Sequence, residues 1–137
     1  MKKEPARLTL QGVLAMHEQL VAEHGGEAAV RDRGLLESGL AAPRHHYTYG
    51  ERDIFVLAAA YAYGITRNHP FLDGNKRTAF LAAYAFLGIN GWELNASEEQ
   101  VVKRVVGLSD RSAAPEAFAE WLRASCRRNK RRKMGSS

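Results

Sequence analysis

The densest concentration of chemically useful residues is the run His69-Pro70-Phe71-Leu72-Asp73-Gly74-Asn75-Lys76-Arg77-Thr78. An imidazole exchanges a proton near neutral pH, so His69 can take one from an attacking hydroxyl. Asp73 supplies a carboxylate of the kind that holds a magnesium ion against phosphate oxygens. Pro70 argues that any preceding helix has ended, and Asp73-Gly74 is a turn-and-cap signal. A helix that begins near Gly74 carries Lys76 and Arg77 in its first turn, where cations oppose the helix dipole. That placement makes sense if an anion sits there. The backbone N–H groups of Gly74 and Asn75, with the two cationic side chains, then form a phosphate cradle. Phe71 pins the loop to the core. Singly, each residue has an ordinary structural role open to it: Asp73 as a cap, His69 as a loop hydrogen-bonder, Lys76 and Arg77 as surface charge. A base, a carboxylate, a Gly-Asn turn and two cations within nine residues together favour phosphoryl chemistry.

Two apolar segments flank this run and must position it. Residues 53–66 hold Ile54, Phe55, Val56, Leu57, four alanines, Tyr61 and Tyr63 with almost no polar face, and residues 78–88 repeat the character with Phe80, Leu81, Tyr84, Phe86 and Leu87. Helices apolar on every side lie in the middle of a domain, and the short connection predicts an antiparallel central pair. Thr9 can cap an earlier helix with Leu10, Val13, Leu14, Leu20 and Val21 on one stripe, ending at Gly25-Gly26. His17 falls on that stripe and reads as a packed, hydrogen-bonded core residue rather than a ligand. A short helix over residues 34–41 is expected to stop before Pro43, leaving residues 44–50 as a loop or small hairpin. The adjacent His45 and His46 have no carboxylate or cysteine at ligand spacing, which argues against zinc. Ser97 and Gln100 make a capping box for a helix bearing Val101, Val102, Val105 and Val106, and Pro115 suits the first turn of a last helix with Phe118, Trp121 and Leu122 inside. Trp92 and Trp121 read as core residues. The expected class is all-α, a compact helical domain around a central buried pair, with one small β-hairpin at most.

At 137 residues, 45% apolar and 26% charged, the chain has the makeup of one ordinary globular domain. The net charge of +5 suggests nucleic acid until it is located: Arg127, Arg128, Lys130, Arg131, Arg132 and Lys133 sit together, and without them fourteen basic residues face fifteen acidic ones. The excess belongs to a tail, so the expected division is a domain over residues 1–126 and a solvated basic tail over 127–137. Nucleic acid is therefore not an expected partner beyond weak contact through that tail. Met134-Gly135-Ser136-Ser137 reads as a cloning remnant. One cysteine, Cys126, fits a reducing compartment. Neither apolar run is long enough for a membrane span, and no apolar core follows Met1-Lys2-Lys3 as in a signal peptide, so a cytoplasmic location is expected.

The run His69-Pro70-Phe71-x-Asp73-Gly74-Asn75-Lys76-Arg77 resembles the signature of the Fic/Doc superfamily, and of its Doc (death on curing) branch in particular. The likeness covers about residues 8–125 and includes Leu8-Thr9-Leu10, Arg31-Asp32-x-Gly34-Leu35-Leu36-Glu37-Ser38 and Pro43. It implies a compact helical domain that uses ATP with magnesium to modify a hydroxyl of a protein target. Fic members read His-Pro-Phe-x-x-Gly-Asn-Gly-Arg-x-x-Arg and transfer AMP. Here Lys76 replaces the glycine and Phe80 the second arginine, which fills phosphate space, adds a charge and removes a guanidinium clamp. Such substitutions mark Doc-type toxins, which transfer the γ-phosphate to a threonine of elongation factor Tu, stop translation, and are restrained by a small Phd antitoxin. By motif position the resemblance implies His69 as general base, Asp73 as magnesium ligand, and Gly74, Asn75, Lys76 and Arg77 as phosphate holders. It also suggests residues 43–52 as a target-docking flap. The self-inhibitory pattern of some Fic proteins has its nearest match at Ser112 to Glu116. Ala117 follows where glycine or asparagine is required, so restraint is expected from a separate chain. Adenylyl transfer and a non-catalytic binding module are the alternatives, the second disfavoured by an intact His69 and Asp73.

Overall fold

Helix α3 (Ile54–Asn68) runs through the middle of the molecule and α4 (Asn75–Ile89) packs antiparallel to it. Around them lie α1 (Leu10–His24), α2 (Arg33–Thr48), α5 (Glu98–Ser109) and α6 (Pro115–Ser125), with two short strands, β1 (Trp92–Leu94) and β2 (Cys126–Arg128). The computed structural model describes residues 3–129. Lys130, Arg131, Arg132 and Lys133 of the expected tail, the terminal Met134 to Ser137, and Met1-Lys2 lie outside the described residues.

The alanines of α3 explain its position. Ala58, Ala59, Ala60 and Ala62 are all buried, so α2, α4 and α6 can each close on a different face of it. The closest approach is at Gly39 of α2 and Gly64 of α3. A Cβ on Gly64 would stand 2.7 Å from the Gly39 carbonyl oxygen, so the two backbones meet there because neither residue has a side chain. One level further along, Asn68 Nδ2 donates to Leu35 O at 2.9 Å and joins the amino end of α2 to the carboxyl end of α3. In α4 the burial is one-sided: Tyr84 and Ile89 are 45% and 37% exposed, so that helix is not apolar-enclosed all round as its composition suggests.

Helix α2 does not stop before Pro43. It continues through it to Thr48, so residues 44–48 are helical rather than loop or hairpin. A proline inside a helix leaves the carbonyl four residues earlier without its donor. That carbonyl is Gly39 O, which faces Gly64 across the helix crossing, and Pro43 itself is buried. Tight packing there offsets the lost hydrogen bond.

The sheet is also not a hairpin. β1 and β2 are antiparallel, pairing Trp92 with Arg128, Glu93 with Arg127 and Leu94 with Cys126, with α5 and α6 between them in sequence. Arg128 lies over the Trp92 ring at 4.6 Å and Arg127 Nε approaches Glu93 Oε1 at 3.5 Å. The first two cations of the supposed tail therefore belong to the fold, and the boundary expected after residue 126 moves beyond them. The caps agree with expectation: Thr9 Oγ1 accepts from Gly12 N–H at 3.0 Å, Ser97 and Gln100 bond each other reciprocally, and Pro115 opens α6. Trp121 is buried, and Trp92 meets Phe55 edge to face at 5.0 Å. No helix among the described residues is long and apolar enough to cross a membrane.

Candidate active site

The loop between α3 and α4 is held from three directions. Phe71 is fully buried and stacks on His17 of α1, ring centroids 3.7 Å apart and planes 11° apart. His17 Nε2 lies 2.7 Å from Asp73 O; a carbonyl only accepts, so His17 carries its proton on Nε2 and donates it. The core role expected of His17 is thus borne out, with the loop itself as its partner.

Asn75 supplies the second hold. Its Oδ1 accepts from Phe71 N–H at 3.0 Å and its Nδ2 donates to Phe71 O at 2.8 Å, all of it buried. The side chain of Asn75 is therefore committed to the loop, and only its backbone N–H is available to an anion. Residues 27–32 are the third hold. Leu72 N–H donates to Ala29 O at 3.1 Å, Arg31 and Asp32 N–H both reach Pro70 O, and Val30 bridges Phe71. The segment against the loop is this one, not residues 43–52. Those sit where α2 meets the start of α3, at the far end of a helix about 22 Å long, and none of them lines the cleft described below.

On this frame His69 ends α3 in the left-handed region, φ 50 and ψ 55, with its N–H on Ile65 O at 3.0 Å. A residue with a Cβ costs about 1–2 kcal/mol there, so the surroundings must impose it. Asp73 is exposed and its Oδ2 accepts from Glu27 N–H at 2.8 Å. It does not cap α4; Gly74 does, at φ 80, with no side chain to satisfy the first N–H groups of the helix. The first bond to the cap is Thr78 N–H to Gly74 O, so the N–H groups of Asn75, Lys76 and Arg77 precede it. Lys76 and Arg77 are exposed and make no ion pair among the described residues.

His69, Asp73, Gly74, Asn75, Lys76 and Arg77 all line one open cleft of about 800 Å³. The cleft is also lined by apolar residues, Phe80 and Leu81 of α4 and the valines of α5, and by Glu98 at the start of α5. Val102 is 55% and Val106 39% exposed. The sequence places the four valines on one capped helix, and of them only Val105 is buried. Ser112 and Glu116 lie outside the cleft, at the turn into α6.

A helical domain thus presents, in one cleft, an imidazole at a left-handed turn, a carboxylate, and a glycine-capped helix start bearing two cations without an ion pair among the described residues. Residues 7–87 match the Fic/DOC family, and the chain belongs to that family. It is 47% identical over 75 residues to the toxin Doc of Mycolicibacterium smegmatis, covering 53% of this chain and 57% of that one. It is 30% identical over 112 residues to the protein kinase doc of Escherichia phage P1, covering 81% and 88%. The chain thus spans somewhat over half the length of the mycobacterial relative. The helical architecture expected of the family is the one found.

Proposed function

We propose that this chain is a Doc-type toxin that transfers the γ-phosphate of ATP to a threonine or serine hydroxyl of a translation factor such as elongation factor Tu. The observation that carries the reading is the gathering of His69, Asp73, Lys76 and Arg77 in one cleft at the start of α4. Likeness to proteins named toxin Doc and protein kinase doc supports it. In the reaction, His69 takes the proton of the attacking hydroxyl as its oxygen bonds to the γ-phosphorus. The bond to the bridging β-oxygen breaks and ADP leaves on the far side. Lys76, Arg77 and the N–H groups at the helix start hold the phosphates while charge redistributes.

Asp73 suits magnesium. One carboxylate plus phosphate oxygens and water is the usual set for that ion, and Asp73 keeps Oδ1 outside the hydrogen bonds that tie the loop. Magnesium there would screen the phosphate charge. Phe80 lines the cleft at the position of the second arginine of the Fic signature, which favours γ-transfer over adenylyl transfer. A separate Phd-like antitoxin is the expected restraint, and the target places the action in the cytoplasm.

Expression of the wild type should arrest bacterial growth, and co-expression of a Phd-like antitoxin should relieve the arrest. His69→Ala should lower transfer by about 10²–10⁴-fold and abolish the arrest while the protein stays folded, since His69 lies on the surface of the loop. Arrest of equal severity at equal soluble protein would count against a catalytic His69.

A further inference from the structure

Arg31 touches the loop but does not line the cleft, and nothing in the proposed chemistry uses it. Its guanidinium Nε donates to His69 O at 2.7 Å and Nη2 to Asn68 O at 3.0 Å. Its own backbone N–H donates to Pro70 O at 2.6 Å. One residue therefore holds three successive carbonyls where the chain leaves α3 and enters the loop. Carbonyls at the end of a helix lack intrahelical donors, and they form the negative end of its dipole, where a cation is favoured. The same point is where His69 adopts φ 50, a conformation that persists in a residue with a side chain only when neighbouring groups impose it. The direction in which the His69 side chain leaves the backbone follows from that turn.

We infer that Arg31 is a positioning residue: its forked guanidinium locks the left-handed turn at His69 and so aims the imidazole into the cleft, without touching the substrate. The two acceptors belong to adjacent peptides and take one donor each from neighbouring nitrogens of a rigid fork. A lysine ammonium offers the charge but not the fork. The inference rests on the phosphotransferase reading only where it concerns rate; the locking of the turn does not depend on it.

The test uses the full chain with Arg31→Ala and Arg31→Lys, and has two readouts. The first is kinetic. Misplacing a base costs on the order of tenfold to a hundredfold in rate, so kcat per folded molecule should fall by that much in Arg31→Ala while KM for ATP stays the same. Arg31→Lys should recover only a minor part. Millimolar guanidinium should raise kcat of Arg31→Ala, whereas methylammonium should not. A residue that merely stabilised the fold would lower the melting temperature and leave kcat per folded molecule and chemical rescue unaffected. The second readout is the backbone 13C shifts of His69 in the absence of nucleotide, which should leave left-handed values in Arg31→Ala. Unchanged His69 shifts, or an unchanged kcat per folded molecule, would overturn the inference. Should the wild type transfer no phosphate to any extract protein, the kinase reading fails on its own, and the His69 shifts still decide the role of Arg31.

Discussion

Asn75 and His17 hold the loop from within, through the Phe71 peptide groups and the Asp73 carbonyl. Asn75 satisfies both backbone polar groups of the buried Phe71, and losing such a partner costs about 1–3 kcal/mol because the groups remain buried. Asn75→Ala should lower the unfolding free energy measured by chemical denaturation by an amount in that range, and transfer should fall with it as the loop loosens. Stability equal to wild type would mean that the Phe71 groups find other partners. The sequence marks Asn75 correctly as part of the turn but not as a side chain turned inward. Residue type says that an amide can bond an anion or a peptide, and only the fold says which is in reach. His17 is similar: its stripe position reveals a core residue, while its partner Asp73 O is 56 residues away and leaves no local trace. That His69, Asp73, Lys76 and Arg77 share one cleft is readable because they lie within nine residues of one another.

Among the elements, α3 is the one on which the others converge, and its start is fixed by a charge. Asp53 caps α3 by accepting from Phe55 N–H at 2.9 Å and pairs with Arg123 of α6. Partial burial pushes its carboxyl upward, but the Arg123 guanidinium and the Phe55 N–H outweigh that and hold it below the ordinary value of 3.8. A carboxyl depressed in the folded state stabilises above its unfolded value, and that contribution is lost as pH falls through the folded one. Asp53→Asn retains a capping side chain but not the charge. It should cost at most about 1 kcal/mol at neutral pH, as exposed pairs do, and the gap in melting temperature from wild type should close as pH falls below 3.8. A gap that persists in acid would assign the effect to the cap rather than the pair. The element boundaries readable in sequence are those with a start signal, at Thr9, Ser97 and Pro115. The end of α2 is not, because the rule that proline stops a helix yields here to the Gly39–Gly64 contact, which pairs residues distant in sequence. The strands are too short for any alternation to register, and β2 is written in arginines.

Taken as a whole, the molecule holds two cations against a helix dipole with no ion-pair partner among the described residues. A bound phosphate relieves that, so ATP with magnesium should raise the melting temperature, by about 2.7 kcal/mol of stability at a hundredfold excess over Kd. Arg77→Ala should remove most of the ligand-dependent gain and leave the unliganded midpoint nearly unchanged. No shift in the wild type at saturating ATP would contradict the phosphate cradle. The orientation of the nucleotide is what separates a kinase from an adenylyltransferase on this fold. In-line attack at the γ-phosphorus requires the hydroxyl at His69 to face the terminal phosphate, whereas attack at the α-phosphorus requires the nucleotide reversed. The decisive measurement is transfer of label from ATP to elongation factor Tu, or to the proteins of a cell extract. With Lys76 and Phe80 in the cleft, label should pass from γ-labelled and not from α-labelled ATP, with ADP as product and His69→Ala inactive. Label arriving from the α-phosphate with release of pyrophosphate would contradict the account.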